Sequence, residues 1–181
     1  MSGLRDSSEK STHPPAPSLG GRGSLPGTRE WYADGLRFEC TQCGNCCTGP
    51  PGFVWFNEAE GRAMAAALGV SESEFYTRHA RREGGVGGHW SLKERKTEKD
   101  SGGGGGYDCT FLDRESIPGK AICGIYHARP TQCRTWPFWP ENLKSESSWQ
   151  RVKRQTPCPG MSRGPLITIE QIRIQRDRSS L

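Results

Sequence analysis

Cys40-Thr-Gln-Cys43-Gly-Asn-Cys46-Cys47 puts four thiols into one short run, and four more follow at Cys109, Cys123, Cys133 and Cys158. Core packing does not explain that density. A buried structural cysteine behaves as a small apolar residue and has no reason to recur at every third position. Two cysteines separated by two residues can face one ion, because the turn between them brings both sulfurs to the same side. Thiolates suit zinc or iron–sulfur centres far better than magnesium or calcium. The chain therefore reads as a cysteine-ligated metal protein. Its apolar share is only 32%, with 24 Gly and 13 Pro, too little to bury a large core along the whole length. Metal ligation is one way a small, loop-rich domain makes up that shortfall.

The chain has 181 residues, enough for one domain plus tails, and its net charge of +5 does not by itself call for nucleic acid or a membrane. No apolar run is long enough for a transmembrane helix. Met1 to Arg29 lacks the hydrophobic segment of a secretory signal. The expected location is thus the cytoplasm, where cysteines serve as thiolates or ligands rather than as disulfides. An even cysteine count also permits a disulfide framework, which the tight clustering disfavours.

The expected fold class is α+β: a small, irregular, metal-stabilised domain with short helices and a β-hairpin around the cysteine cluster. Residues 1–30, rich in Ser, Pro and Gly, read as a disordered tail. The metal-binding domain spans 31–175, and 176–181 form a C-terminal tail. Leu36 to Phe38 predicts a short strand, as does Phe53 to Phe56. Asn57 reads as a helix N-cap with Glu60 at capping-box spacing, and Gly69 ends that helix. Ser71 and Glu74 repeat the signature for a second helix through about Arg82. Glycine clusters at Gly84–Gly88 and Gly102–Gly106 lack the Gly-Lys-Ser/Thr of a phosphate loop, so residues 84–106 read as a flexible insertion. Tyr107–Leu112 and Lys120–Tyr126 predict a hairpin. Centred on Ser116, it would set Cys109 opposite Cys123. Pro130 opens a short helix carrying Cys133, and Trp136-Pro137 ends it. Trp136, Phe138 and Trp139 form either an apolar wall beside the thiols or plain core. Thr168 caps a last helix, with Ile169 and Ile172 inward and Arg173, Arg176 and Arg178 outward.

Eight cysteines divide into two tetrahedral sets, each suited to one zinc or one four-cysteine cluster. In extended structure Cys46 and Cys47 point apart, so they are expected to serve different centres or to bridge two metals. Cys40, Cys43 and Cys46 follow the C-x2-C-x2-C spacing of bacterial ferredoxins, whose later Cys-Pro is echoed by Cys158-Pro159. Gly44 equally suits a zinc knuckle, where a tight turn frees N–H groups to face sulfur. The expected partition is Cys40, Cys43, Cys46 and Cys158 in one centre, and Cys47, Cys109, Cys123 and Cys133 in the other. His79, His89 and His127 stand alone and are not needed as ligands.

Phe38-x-Cys40-x-x-Cys43-Gly44-x-Cys46-Cys47 resembles the opening of the YkgJ family, the CxxCxxCC cysteine-cluster proteins, described as a zinc- or iron-chelating domain. Cys109-Thr-Phe111-Leu112 is similar to its C-x-F-L segment. Cys123-Gly-Ile125-Tyr126-His127-Ala-Arg129-Pro130-Thr-Gln-Cys133-Arg134-Thr-Trp136-Pro137 is similar to its C-x-I-Y-x-x-R-P-x-x-C-R-x-[FWY]-P segment, and Cys158-Pro159-Gly160 to its final cysteine. The likeness runs from about Trp31 to Arg173, leaving out the longer glycine-rich insertion. His127 stands where an acidic residue is common. The resemblance implies chelation by all eight cysteines and supplies no enzymatic activity. Arg129 and Arg134 are candidate guanidinium partners for an anionic thiolate centre.

The leading function is therefore metal binding, with zinc or iron, including an iron–sulfur cluster, as cofactor and metal ions as partners. An iron–sulfur redox or accessory protein to an enzyme such as a methyltransferase is the second reading. A zinc-ribbon-like interaction or nucleic-acid module, motivated by the basic last helix, ranks third. No Ser-His-Asp arrangement, H-E-x-x-H or dinucleotide fingerprint is present, which argues against an enzyme.

Overall fold

The computed structural model describes residues 29–85, 87–97 and 106–179. Of the expected tail, 1–30, residues 1–28 lie outside that range, as does most of the second glycine cluster, whereas Glu30 is described and paired with the last helix. The architecture is α+β: six short helices and four small antiparallel sheets among the described residues.

Local signals fix several elements where the sequence places them. Strand β1 covers Leu36–Phe38, β2 Thr48–Gly49 and β3 Trp55–Phe56. Helix α1 spans Glu58–Leu68. The Asn57 side chain accepts from the Glu60 N–H while Glu60 accepts from the Asn57 N–H, a complete capping box that satisfies two otherwise orphaned donors. Gly69 ends the helix in the left-handed region at φ 67°.

Helix α2, Glu72–His79, starts at the expected Ser71 cap but stops short of Arg82. Residues Ala80–Glu83 instead form β4, which pairs with β5, His89–Leu92. The reason is tertiary: Ala80 is buried opposite Leu92, and the β3-β5-β4 sheet offers Arg81 and Arg82 aromatic faces, at 4.9 Å over Phe53 and 5.4 Å over Trp90. The same sheet corrects the reading of 84–106 as a flexible insertion. Strand β5 is its central strand, and β6, Glu94–Lys96, pairs with β7, Tyr107–Cys109.

A hairpin does form further on, from β8, Leu112–Asp113, and β9, Ile122–Cys123, but in a different register. Leu112 faces Cys123, whereas Cys109 faces Glu94 on β6. The Asp113 carboxylate accepts the N–H groups of Glu115 and Ser116, tightening the turn and pulling the pairing away from a centre at Ser116. A single 3-10 turn covers Tyr126–Ala128. Helix α3, Thr131–Arg134, carries Cys133, and Pro130 precedes it as its N-cap.

Helices α4, Pro140–Leu143, and α5, Glu146–Gln155, lead to β10, Met161–Ile167, which pairs with β1. Helix α6, Ile169–Arg178, takes up part of the expected C-terminal tail. Arg173 and Arg176 both engage Glu30, at 2.6 and 2.7 Å, so residue 30 and the last helix hold each other.

Two apolar cores result. The first gathers Phe56, Met64, Phe75, Leu92, Phe111 and Ile125, and the second Tyr32, Phe138, Trp149, Cys158, Met161 and Ile172. Phe75 has no exposed surface and meets Phe56, Tyr76 and Phe111 ring to ring. Phe75→Ala is expected to lower the unfolding free energy by about 3–5 kcal/mol in urea titrations, and Asn57→Ala by about 1 kcal/mol through the lost cap.

Candidate metal centre

Backbone pairing draws the scattered cysteines together. Strand β1 leads into Cys40 and pairs with β10, which follows Cys158, and the Asn45 amide donates to the Pro157 carbonyl at 2.7 Å. The first and last cysteine segments are thereby joined. Gly160 is needed there, since a Cβ would stand 1.8 Å from the Glu39 carbonyl oxygen. The Cys109 N–H donates to the Cys47 carbonyl at 2.8 Å, and β2 continues that ladder with Thr48 opposite Asp108. The Ala121 N–H donates to the Gln42 carbonyl at 2.8 Å, tying the segment before Cys123 to the one between Cys40 and Cys43.

Cys133 arrives by side-chain clamps. Gln132 accepts the Trp55 N–H at 2.6 Å and donates to the Phe53 carbonyl at 3.1 Å. Glu60 accepts the Thr131 N–H at 2.6 Å through the oxygen not used in the capping box. Glu94 accepts the Gly52 N–H with both oxygens, holding the loop between β2 and β3. Sequence reasoning missed Gln132 and Glu94, and found Glu60 only as a cap. No local pattern marks a glutamine whose partner segment lies so far back along the chain.

All eight cysteines are free, and all eight line one cavity of about 200 Å³. The cavity lies between the cores: Cys43 packs on the second core, to which Cys158 belongs, whereas Cys109 and Cys123 pack on the first. Cys46 and Cys47 do not adopt the extended geometry that would turn their side chains apart. A turn closed by the Cys47 N–H on the Gly44 carbonyl, 2.8 Å, sets their sulfurs 3.6 Å apart. Gly44 makes this turn at φ +75°, with Ala121 packed where a Cβ would lie. Sulfurs on one tetrahedral zinc are separated by about 3.8 Å, from a bond length near 2.3 Å. Among the described residues, no three or more His, Cys, Asp or Glu side chains already stand as a closed ligand set. The donor set fits a thiophilic metal in kind and number.

The electrostatics are those of crowded thiols taken out of water. Burial raises the Cys109 thiol to about 11, and the Cys123, Cys133 and Cys158 thiols also rise, first through desolvation and further through the charge of neighbouring cysteines, Cys46 among them in all three. Cys47 rises because its S–H is held by Cys46, and Cys46 in turn drops to about 7. Backbone N–H groups oppose the burial effect: Phe111 at Cys109, Ile125 at Cys123, and Gly160 with Met161 at Cys158. These donors lie two or three residues beyond their cysteines, where a tight turn frees N–H groups to face sulfur.

Among the described residues two cationic side chains, Arg129 and Lys93, line this cavity, and Arg129 acts on the most thiols. It lowers Cys46, Cys123 and Cys133 by its charge and lies over the Tyr126 ring at 3.9 Å. Arg134 does not line the cavity; it sits 3.8 Å from Glu60 and donates to the Thr131 hydroxyl at 3.0 Å. The aromatic residues divide in the same way. Phe138 is core, while Trp136 and Trp139 are cavity wall. None of His79, His89 and His127 lines the cavity; His79 stacks on Phe111 at 4.8 Å and approaches the Thr110 hydroxyl.

The family model for CxxCxxCC, "Putative zinc- or iron-chelating domain", matches residues 39–159, more than half of the chain. The chain belongs to this family. The matched stretch contains every cysteine. No solved structure matches the chain. No helix of the described residues is long and apolar enough to cross a membrane.

Two measurements probe the site without metal. Cys46 is exposed at the turn and carries the lowered thiol, so it is expected to alkylate first with iodoacetamide at pH 7, by peptide mapping. Cys47→Ala removes the donor and should slow that reaction. Asp108, buried beside Cys109, is held below the usual aspartate value mainly by the Arg114 guanidinium at 2.9 and 3.0 Å. A depressed carboxyl stabilises the fold above its unfolded value, about 3.9, and ceases to as pH falls through the lower folded value. Asp108→Asn should therefore destabilise the protein at neutral pH and converge with the wild type in strong acid, by thermal melting across pH.

Proposed function

We propose that the chain binds zinc or iron through its eight cysteines in two adjoining centres. Cys40, Cys43, Cys46 and Cys158 form one, and Cys47, Cys109, Cys123 and Cys133 the other. The observation that carries this reading is the convergence of eight free thiols on a single cavity. The partition draws support from the packing of Cys43 and Cys158 on one core and of Cys109 and Cys123 on the other. The charges of Cys109 and Cys133 also act on Cys47, and that of Cys43 on Cys158, while Cys123 feels Cys46 and Cys40 across the boundary, so the two sets adjoin closely. Cys46 and Cys47, side by side, form the seam between the centres.

A closed four-thiolate site gives structural cohesion and metal retention rather than an open Lewis-acid position. Two divalent ions among eight thiolates leave a negative centre, which Arg129 offsets. The reading implies a reducing compartment such as the cytoplasm, in which the thiols stay available. An iron–sulfur cluster is the second reading. It is favoured by the spread of the sulfurs around a cavity larger than two bare ions require. The basic face of α6 lends no support to nucleic-acid binding, because Arg173 and Arg176 engage Glu30.

Anaerobically purified protein should be colourless with about two zinc ions per chain, or brown with visible absorbance and several irons per centre if it holds clusters. Cys158→Ser and Cys133→Ser should each lose one centre by elemental analysis. Metal uptake by the protonated thiols should release protons and tighten as pH rises through neutrality. Reduced protein free of zinc and iron, with a shape indifferent to strong chelator, would overturn the reading.

A further inference from the structure

Two buried polar atoms on residues that line the thiol cavity have no hydrogen-bond partner: the Trp136 indole Nε1 and the Thr41 hydroxyl. Unpaired buried donors are rare and cost about 1–3 kcal/mol each. The neighbouring tryptophan shows that the local fold can satisfy an indole, since Trp139 donates to the Gln132 carbonyl at 2.9 Å. Trp136 meets Trp139 edge to face at 4.9 Å, yet its own N–H finds no acceptor. Thr41 sits between Cys40 and Cys43, and Trp136 lies three residues beyond Cys133. There is thus one idle donor beside a ligand of each proposed centre.

Thiolate sulfur is the acceptor the cavity offers in quantity once a metal has displaced the thiol protons. A hydrogen bond to an ionised acceptor is about twice as strong as one between neutral groups. Neutral donors suit this position, because they spread the charge of a metal–thiolate centre without adding a competing ion. In the metal-free protein no sulfur serves either donor as an acceptor, and both stay idle.

We propose that the Trp136 indole N–H and the Thr41 hydroxyl are donors reserved for ligand sulfurs of the bound centres, Trp136 for the one containing Cys133 and Thr41 for the one containing Cys40 and Cys43. The inference rests on the metal-binding reading above. Both residues orient and stabilise ligands and do not themselves touch the metal.

The test uses the full chain labelled with 15N at its indoles and titrated with 113Cd2+. The Trp136 resonance, identified by its absence from Trp136→Phe, should move downfield on loading and show scalar coupling to 113Cd. Trp136→Phe, which keeps the ring and loses the N–H, and Thr41→Val should each weaken cadmium retention against a competing chelator by about tenfold, with the number of ions bound unchanged. If cadmium is taken up and leaves every indole resonance in place, without coupling, the inference is overturned even if Trp136→Phe fails to fold. A chain that takes up cadmium with an unmoved indole overturns this inference alone. One that takes up none overturns the metal-binding reading as well.

Discussion

Thiols can be buried at little cost only while they keep their protons, and that constraint governs the rest of this structure. Eight cysteines around one cavity cannot all ionise away from water without a cation among them. The chain therefore has two electrostatic states. In the metal-free state burial pushes most of the thiols up, while Cys46, exposed at its turn, is pulled down because the Cys47 S–H donates a hydrogen bond to it. On the proposed metal-binding reading, Arg129 and the backbone N–H groups beside Cys109, Cys123 and Cys158 would share the work of stabilising negative sulfur.

The scaffold answers that constraint by bringing the ligands together with unusually little hydrophobic material. Neither core contains all of the cysteine segments, and the cavity occupies the seam between them. What holds the seam is polar. The Cys109–Cys47 and Ala121–Gln42 backbone bonds stitch strands that are two or three residues long. Gln132, Glu60 and Glu94 each use one side chain to fix two backbone groups or two elements. Polar clamps of this kind set direction as well as energy, which a site built from short loops requires.

Much of the local structure was legible because its causes are local. Asn57 with Glu60, Gly69, Ser71 and Thr168 mark helix ends by interactions within one turn, and the helices begin where these residues stand. The early end of α2 was not legible. Ala80–Glu83 becomes a strand because β5 lies beside it, and β5 itself lies in a stretch whose glycines and charges read as loop. The hairpin shows the same limit: its existence follows from two β-prone runs, whereas its register follows from Asp113 and the turn it closes.

The cysteine spacing by itself determined that this is a thiolate site of the CxxCxxCC kind, since ligand chemistry depends on which atoms are present and on how closely they recur. Tertiary structure alone decided that the eight thiols share one cavity, that Cys46 and Cys47 turn to the same side, and that Arg129 rather than Arg134 faces them. Those outcomes depend on strand register and on clamps between segments far apart in the chain. Such contacts are fixed by how elements dock, and no window of sequence contains both partners.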